Sequence, residues 1–124
     1  MRHRLLLALA LVLVVAGCGG GEDDAVRAKR DYERAVRAVV ADARDAGGTP
    51  AALRVAGEQL RKLEPPAEVA GPHRDLVAGF AAVADAGERG GEPPDDVVDR
   101  ILAARRAFGA LRYDIGVYGP LSGS

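Results

Sequence analysis

The sequence has few of the residues that stabilise small domains through disulfides, metal sites or large aromatic side chains. Among its 124 residues it has no tryptophan, two phenylalanines, three tyrosines, two histidines and one cysteine. One cysteine cannot form a disulfide within its own chain, so a disulfide scaffold is excluded. The same scarcity leaves too few Cys and His ligands for a structural zinc site of the usual kind. With so few large aromatic side chains, we expect a thin hydrophobic core.

Catalytic motifs are scarce as well. Ser122 and Ser124 have no histidine nearby in the sequence, and the Gly-x-Ser-x-Gly turn of the α/β-hydrolases does not occur. The glycine pairs are not followed by the lysine and hydroxyl residue of a phosphate-binding loop. Ala70 stands three residues before His73, where a di-iron bundle would have glutamate. The sequence therefore predicts no enzyme activity, no metal and no cofactor.

The N-terminus combines a basic start with an apolar run. Arg2, His3 and Arg4 precede twelve apolar residues, from Leu5 to Ala16. This run is shorter than the roughly 20 residues that a helix needs to span a bilayer. A basic segment followed by an apolar run of this length is typical of an export signal.

The apolar run ends in Val15-Ala16-Gly17-Cys18, which resembles the lipobox of bacterial lipoproteins. In that family a lipid is attached to the sulfur of the cysteine, and a peptidase cuts just before it. The resemblance implies a signal peptide over residues 1–17 and fatty acyl chains, such as palmitate, on Cys18. It also implies anchoring to membrane lipid on the extracytoplasmic side of a cell membrane. Two or three chains, at about 0.8 kcal/mol per buried methylene, would hold a domain there where one is marginal.

Other roles remain open to Cys18. It would also suit a buried structural thiol, half of an intermolecular disulfide, or a chance residue in an uncut membrane anchor. Val15 departs mildly from the lipobox pattern, in which leucine is commonest at that position. Lipid attachment has the advantage that it accounts for the single thiol.

The charge balance argues against a nucleic-acid surface. Cleavage before Cys18 would leave 107 of the 124 residues, the size of one small domain. Two of the 17 Lys and Arg residues lie in the leader, so 15 would remain against 18 Asp and Glu, a net charge of −3. The two signs alternate along the chain, as on solvated helix faces. Acid and base stand four residues apart in Glu33/Arg37, Glu58/Lys62 and Asp85/Arg89.

Helical periodicity occurs in four segments, and no segment alternates with the period of a strand. A flexible tether is predicted over residues 18–24, because three glycines follow Cys18 there. Residues 25–112 predict four helices, which break at Gly47-Gly48, Glu64-Pro65-Pro66 and Glu88–Pro94. Short connections make successive helices antiparallel. The predicted fold class is all-α, a small antiparallel up-down-up-down four-helix bundle after a cleaved signal peptide.

Each predicted helix has one apolar face directed at the core. The spacing of these residues alternates between three and four, which keeps them on one side of a helix. In chain order, the faces are Tyr32, Val36, Val39, Val40 and Ala43; Leu53, Ala56, Leu60 and Leu63; Val69, His73, Leu76, Phe80 and Val83; and Val97, Ile101, Ala104, Phe108 and Leu111.

Two features allow alternative interpretations. His73 lies on the apolar face of the third helix, so it is either a core histidine bonded to a carbonyl or carboxylate, or a ligand-binding or pH-sensing group. The tail, residues 113–124, either caps the open end of the bundle or forms an exposed patch for a partner. Tyr113 and Tyr118 would be the centre of such a patch, since aromatic residues are enriched in interface cores.

The stretch LRKLEPPAEVAGPHRDLVAGFAAVADA resembles small helical lipoproteins of high-GC bacteria, which favours a bundle and implies no activity. The expected function is a non-enzymatic, membrane-anchored module that binds another envelope protein or assists envelope assembly. The alternative is a carrier or sensor that holds a small ligand in a groove between helices. A cavity lined by Phe80, Phe108 and Tyr32 would favour the carrier, and a filled core with an exposed aromatic tail would favour the module.

Overall fold

The computed structural model describes residues 21–116, with side chains described from Asp23 onward. This part of the chain contains four α-helices and no strand. They are α1 (Gly21–Asp45), α2 (Pro50–Arg61), α3 (Ala70–Glu88) and α4 (Asp95–Ala110), with a 3-10 turn (Ala67–Val69) leading into α3. Successive helices are joined by short connections and pack as neighbours. The prediction of a small all-α bundle of four helices is confirmed.

The start of α2 uses the capping signals that the sequence predicts. The Oγ1 of Thr49 accepts a hydrogen bond from the backbone N–H of Ala52, at 3.2 Å. Pro50 takes the first helical position, where its missing N–H is not needed. The side chain of Thr49 thereby satisfies one of the amides that an α-helix leaves unpaired at its start.

Two of the predicted breaks are left-handed turns at glycine. Gly47 and Gly90 have φ angles of 88° and 72°, a region that disfavours residues with a Cβ. The next amide in each turn donates to a carbonyl five residues back, Gly48 to Ala43 and Gly91 to Ala86, at 2.9 Å in both cases. This pattern is the Schellman motif, which ends a helix and reverses the chain.

The first helix starts earlier than expected. α1 begins at Gly21, so residues 22–24 lie in a helix rather than in the flexible tether that the glycines predict. Acidic residues near a helix start are stabilised by the helix dipole, which offsets the low helix propensity of Gly21. From Asp23 to Asp31 every residue is exposed except the half-buried Lys29. We call residues 21–31 the stem; at 1.5 Å per residue it is about 16 Å long.

The core is built from the predicted apolar faces. Its largest fully buried side chains come from all four helices and the 3-10 turn: Phe80, Phe108, Leu60, Leu76, Val36, Val40 and Val69. Leu63, Val83 and Val97 are only partly buried. The clearest departure is Leu111, which is 41% exposed. It lies beyond the end of α4, where the chain turns, so it no longer follows the helical spacing that placed it on the core face.

The third helix is the centre of the bundle, because it packs closely against both α2 and α4. Gly79 allows the close approach of α4, because a Cβ there would lie 2.8 Å from the Cδ1 of Ile101. Towards α2, a Cβ on Gly57 would lie 3.5 Å from that of Phe80, which is an ordinary contact distance. By contrast, the backbones of α1 and α4 make few close approaches. Large side chains must therefore fill the space between the first and last helices.

We expect Leu60→Ala to destabilise the protein by about 2 to 5 kcal/mol, because it removes a fully buried side chain and leaves a cavity. The free energy of unfolding, followed by circular dichroism in a denaturant titration, measures this loss. A thin core has little stability to spare, so the variant should unfold at a much lower denaturant concentration.

Val55→Ala is the matched control on the same helix. Val55 is 55% exposed, and surface substitutions of this kind change stability by about 0.5 kcal/mol or less. Equal effects of the two substitutions, or a spectrum dominated by strand, would contradict this fold.

Candidate functional site

The histidine on α3 is a core residue with a buried hydrogen-bond partner. His73 is 6% exposed, and it is the only histidine among residues 21–116. Its Nδ1 lies 2.7 Å from the hydroxyl oxygen of Tyr32 on α1. The ring is also hydrogen-bonded to the backbone of Leu60, at the end of α2. His73 thus joins three helices inside the core.

These bonds assign the proton of the imidazole. A neutral ring has one donor nitrogen and one acceptor nitrogen. The bond to Leu60 favours the protonated ring, so its partner there is the carbonyl oxygen, which needs the ring's donor. The Nδ1 of His73 is then the acceptor, and the Tyr32 hydroxyl donates to it. Both ring nitrogens are occupied, which matches the core interpretation of His73.

Burial controls the titration of this pair. Desolvation lowers the pKa of His73 below its ordinary value, because the apolar surroundings disfavour the charged imidazolium, and the Leu60 bond opposes the shift only in part. Burial also raises the pKa of the Tyr32 hydroxyl, with a smaller contribution from the nearby Tyr113. Both groups are therefore held in their neutral forms.

The pair belongs to a cluster of four rings, which Phe108 and Tyr113 complete. The Tyr32 ring lies 5.5 Å from His73 and 6.2 Å from Phe108, measured between centroids, and it is stacked on Phe108. The Tyr113 ring meets both Tyr32 and Phe108 edge to face, at 6.1 and 6.0 Å. We call these four residues the aromatic cluster. It fills the space between α1 and α4 that their backbones leave open, in the geometries that aromatic pairs prefer.

The turn after α4 places Tyr113 in this cluster. Arg112 has a φ of 62°, and the Tyr113 amide donates to the Phe108 carbonyl at 2.9 Å. This is again the Schellman motif, here with arginine at the position that glycine usually occupies. The motif brings the residue after the turn over the last part of the helix, and it therefore sets Tyr113 against Phe108.

Residues 113–116 run back along α1. The Asp114 amide donates to Glu33 Oε2, and its carbonyl accepts from Arg37, both at 2.8 Å. Further along α1, Arg44 donates to the carbonyl of Gly116 at 3.3 Å. Ile115 is buried in the core. This part of the tail packs on the bundle, but it lies along the gap between α1 and α4 rather than over the open end that the cap alternative named.

The exposed-patch alternative does not apply to Tyr113. Its ring is 3% exposed, and its hydroxyl donates to Glu68 Oε1 at 2.5 Å. The Nζ of Lys29 lies 4.9 Å from the ring centroid and covers another side of it. Burial and the Glu68 bond raise the pKa of the Tyr113 hydroxyl. Tyr118, the other residue of the predicted patch, lies outside the described residues.

Two open grooves flank the partly buried Leu63, beside the buried pair. The first, which we call the His73 groove, has a volume of about 410 Å³ and is lined by Arg61, Leu63, Pro65, Ala70, His73, Arg74 and Val77. The second, the acidic groove, has a volume of about 420 Å³ and is lined by Ala28, Asp31, Tyr32, Ala35, Leu63 and Glu64. One groove thus presents arginines and the other carboxylates, with Leu63 in the wall of both.

Two ion pairs of the described residues lie within one helix, Arg27–Asp24 and Arg61–Glu58, at a spacing of three rather than the predicted four. Others join different segments of the chain. Asp85 and Glu88 of α3 both bond to Arg54 of α2, the Glu88 contact at 2.8 Å. The hydrogen bond from Arg54 is the main cause that lowers the pKa of Asp85, while Arg89 acts on it from further away. Sequence reasoning missed this cluster, because no local spacing indicates which residues of two helices will meet.

The other predicted site residues have no structural test here. Val15, Ala16, Gly17 and Cys18, the lipobox and its lipidation site, lie outside the described residues. Within residues 21–116 there is no group of three or more His, Cys, Asp or Glu side chains placed to hold a metal ion. Tyr32 and Glu68, which bond to His73 and Tyr113, were not predicted as site residues; the only signal was the position of Tyr32 on an apolar face.

The lowered pKa of His73 predicts acid sensitivity. In the unfolded chain its pKa returns to about 6.5, so below that pH the unfolded state binds more protons than the folded state. Stability is fully present above that value and should fall as the pH drops towards the folded pKa, by up to about 1.4 kcal/mol per pH unit. Denaturant titrations between pH 7 and 5 measure this slope, and His73→Gln should flatten it.

A second variant tests whether burial is the cause. Adding Ala38→His to His73→Gln places an imidazole at an exposed position in the middle of α1. A solvated imidazole titrates similarly in both states, so the slope should stay flat. A wild-type curve that is already flat, or a slope restored by the exposed histidine, would show that burial of His73 does not cause the acid sensitivity.

Comparison with known proteins adds no family to this description. No protein-family model matches the chain, and neither the curated proteins nor the solved structures include a match. The function must therefore be argued from the residues and contacts of this chain.

Proposed function

We propose that this protein is a lipoprotein anchored through Cys18 on the extracytoplasmic side of a cell membrane. There it would serve as a non-enzymatic helical module that binds another envelope protein or assists envelope assembly. The anchor is supported by the basic start, the apolar run and the Val15-Ala16-Gly17-Cys18 pattern, which agree in position and order. The rest of the proposal is supported by the way the helices pack.

The observation that favours a binding module is the filled core. Phe80 and Phe108 are 2% and 0% exposed and contact other core residues on all sides. A carrier with an internal cavity would instead have these rings in the cavity wall. The surface between and outside the helices remains available for recognition, and it carries four exposed large apolar side chains: Val26, Val55, Val98 and Leu111.

The stem supports the proposed attachment. It begins three residues after Cys18 and enters the core at Tyr32, the first buried residue of α1. A helical stem would hold the bundle at a more constant distance from the lipid surface than a glycine-rich coil. None of the helices within residues 21–116 combines the length and the apolar character that a membrane crossing requires.

The anchor is tested by metabolic labelling with a radioactive or clickable fatty acid in a bacterium that processes lipoproteins. Wild-type protein should take up the label and run as the shortened form. Cys18→Ser should abolish labelling and leave the precursor, because the thiol that receives the lipid is gone. Gly20→Ser is the matched control, since it adds the same side chain two residues later and should leave labelling intact. Unlabelled wild-type protein that stays on the membrane would contradict the anchor.

The partner is tested by photo-crosslinking in the cell. A photoreactive residue replaces, in turn, each of the four exposed apolar residues named above, and also the buried Leu76 as a control. We expect at least one exposed position to give an adduct of defined mass with an envelope protein, and the buried position to give none. Absence of adducts at all four exposed positions would contradict the proposal.

A further inference from the structure

The His73 groove has the features of a small-ligand site. Its volume of about 410 Å³ lies at the lower end of the range for such sites, about 300 to 1,000 Å³. Its walls are mostly apolar, with Leu63, Pro65 and Val77 among them, and two arginines stand at its side. Mainly apolar walls with a few polar groups are the usual composition of ligand pockets.

The charge of this groove is positive and not fully compensated. Arg61 donates to Glu58 at 2.6 Å, so one guanidinium already has a carboxylate partner. Arg74, on the exposed side of α3, makes no ion pair or side-chain hydrogen bond within residues 21–116. No acidic residue lines the groove. One unpaired guanidinium beside an apolar wall matches a ligand with a single negative charge.

His73 itself takes no direct part in binding the charge. Its Nδ1 is bonded to Tyr32, and the ring is also bonded to the Leu60 carbonyl, so no ring nitrogen is free for a ligand. The buried imidazole instead forms part of the groove wall. Because the Tyr32 and Leu60 bonds fix the ring, this wall is in place before a ligand arrives.

We propose that the His73 groove binds an amphiphilic monocarboxylate with a medium-length hydrocarbon chain, such as a medium-chain fatty acid. Arg74 binds the carboxylate, with Arg61 beside it, and the hydrocarbon chain lies on Leu63, Pro65 and Val77. An arginine and a carboxylate form charge-assisted hydrogen bonds, which are stronger than neutral ones. A monocarboxylate suits the single unpaired guanidinium. The acidic groove, with Asp31 and Glu64, repels the same ligand.

This inference deepens the small-ligand alternative for the protein and depends neither on a lipid at Cys18 nor on an envelope partner. A negative result here therefore leaves the labelling and crosslinking experiments unaffected, and the reverse also holds. Its test uses a soluble probe, and the measured quantity is the NMR signal of the arginines that line the groove.

The experiment titrates the full chain, in non-ionic detergent micelles, with octanoate and follows the side-chain Nε–Hε signals of the arginines by NMR. The Arg74 signal should shift and saturate. Octanol has the same chain without the charge, and acetate has the charge without the chain. Both should bind at least about tenfold more weakly than octanoate, which is about 1.4 kcal/mol.

Two arginine variants give the decisive comparison. Arg74→Gln should raise the dissociation constant for octanoate at least about tenfold, read from the remaining groove signals, including Arg61. Arg100→Gln removes an exposed arginine on α4, which does not line the groove, and should leave the constant unchanged. Both positions are exposed, so neither change should alter the helical spectrum. Equal binding by Arg74→Gln and wild type, equal binding of octanol and octanoate, equal binding of acetate and octanoate, or no saturable shift would overturn the proposal.

Discussion

The hydrogen bond between Tyr32 and His73 is the polar contact on which the packing of this small core depends. It joins α1 to α3 inside apolar surroundings, and the bond from His73 to Leu60 adds α2. A buried polar group without a partner would cost more than a satisfied bond contributes, so these groups favour one arrangement of the helices over others. The rings of Phe108 and Tyr113 pack against Tyr32 and extend this arrangement to α4 and the tail.

The tail and the cross-helix ion pairs complete a bundle whose first and last helices barely meet. Tyr113 and Ile115 fill the gap between α1 and α4, while Glu33 and Arg37 hold the backbone of Asp114 in place. On the opposite side, Arg54 connects α2 to α3. Exposed pairs of this kind contribute little individually to stability. Their role is to fix which surfaces face each other, and the apolar core supplies most of the stabilisation.

The grooves lie next to the buried pair, at the end of the bundle from which the stem leaves. Tyr32 forms part of the acidic groove and His73 part of the arginine-lined one. The same contacts that stabilise the core therefore also shape both grooves. Under the proposed anchor at Cys18, this end would be the one nearest the membrane. A groove for an anionic amphiphile and a surface for an envelope partner would then both belong to a domain held close to lipid.

The sequence by itself determined the helices and most of the core. The threonine before α2, the proline at its first position, the glycines after α1 and α3, and the apolar spacing along each helix are local signals. Local signals set helix ends and buried faces, such as those of Val36, Leu60 and Phe80. It also predicted that His73 lies on an apolar face. Its hydrogen-bond partner, Tyr32, stands 41 positions away, and no spacing in one helix indicates which residue of another will meet it.

Only the tertiary structure determined where residues 113–116 of the tail pack and which charged side chains form ion pairs. Tyr113 is buried because Arg112 adopts a left-handed conformation. The sequence does not predict this conformation, since glycine is the usual residue at that position. Asp85 pairs with Arg54 rather than with a residue of its own helix, because helix packing brings their side chains together. Periodicity specifies the face that a helix buries, whereas contacts between distant residues depend on how all the faces fit at once.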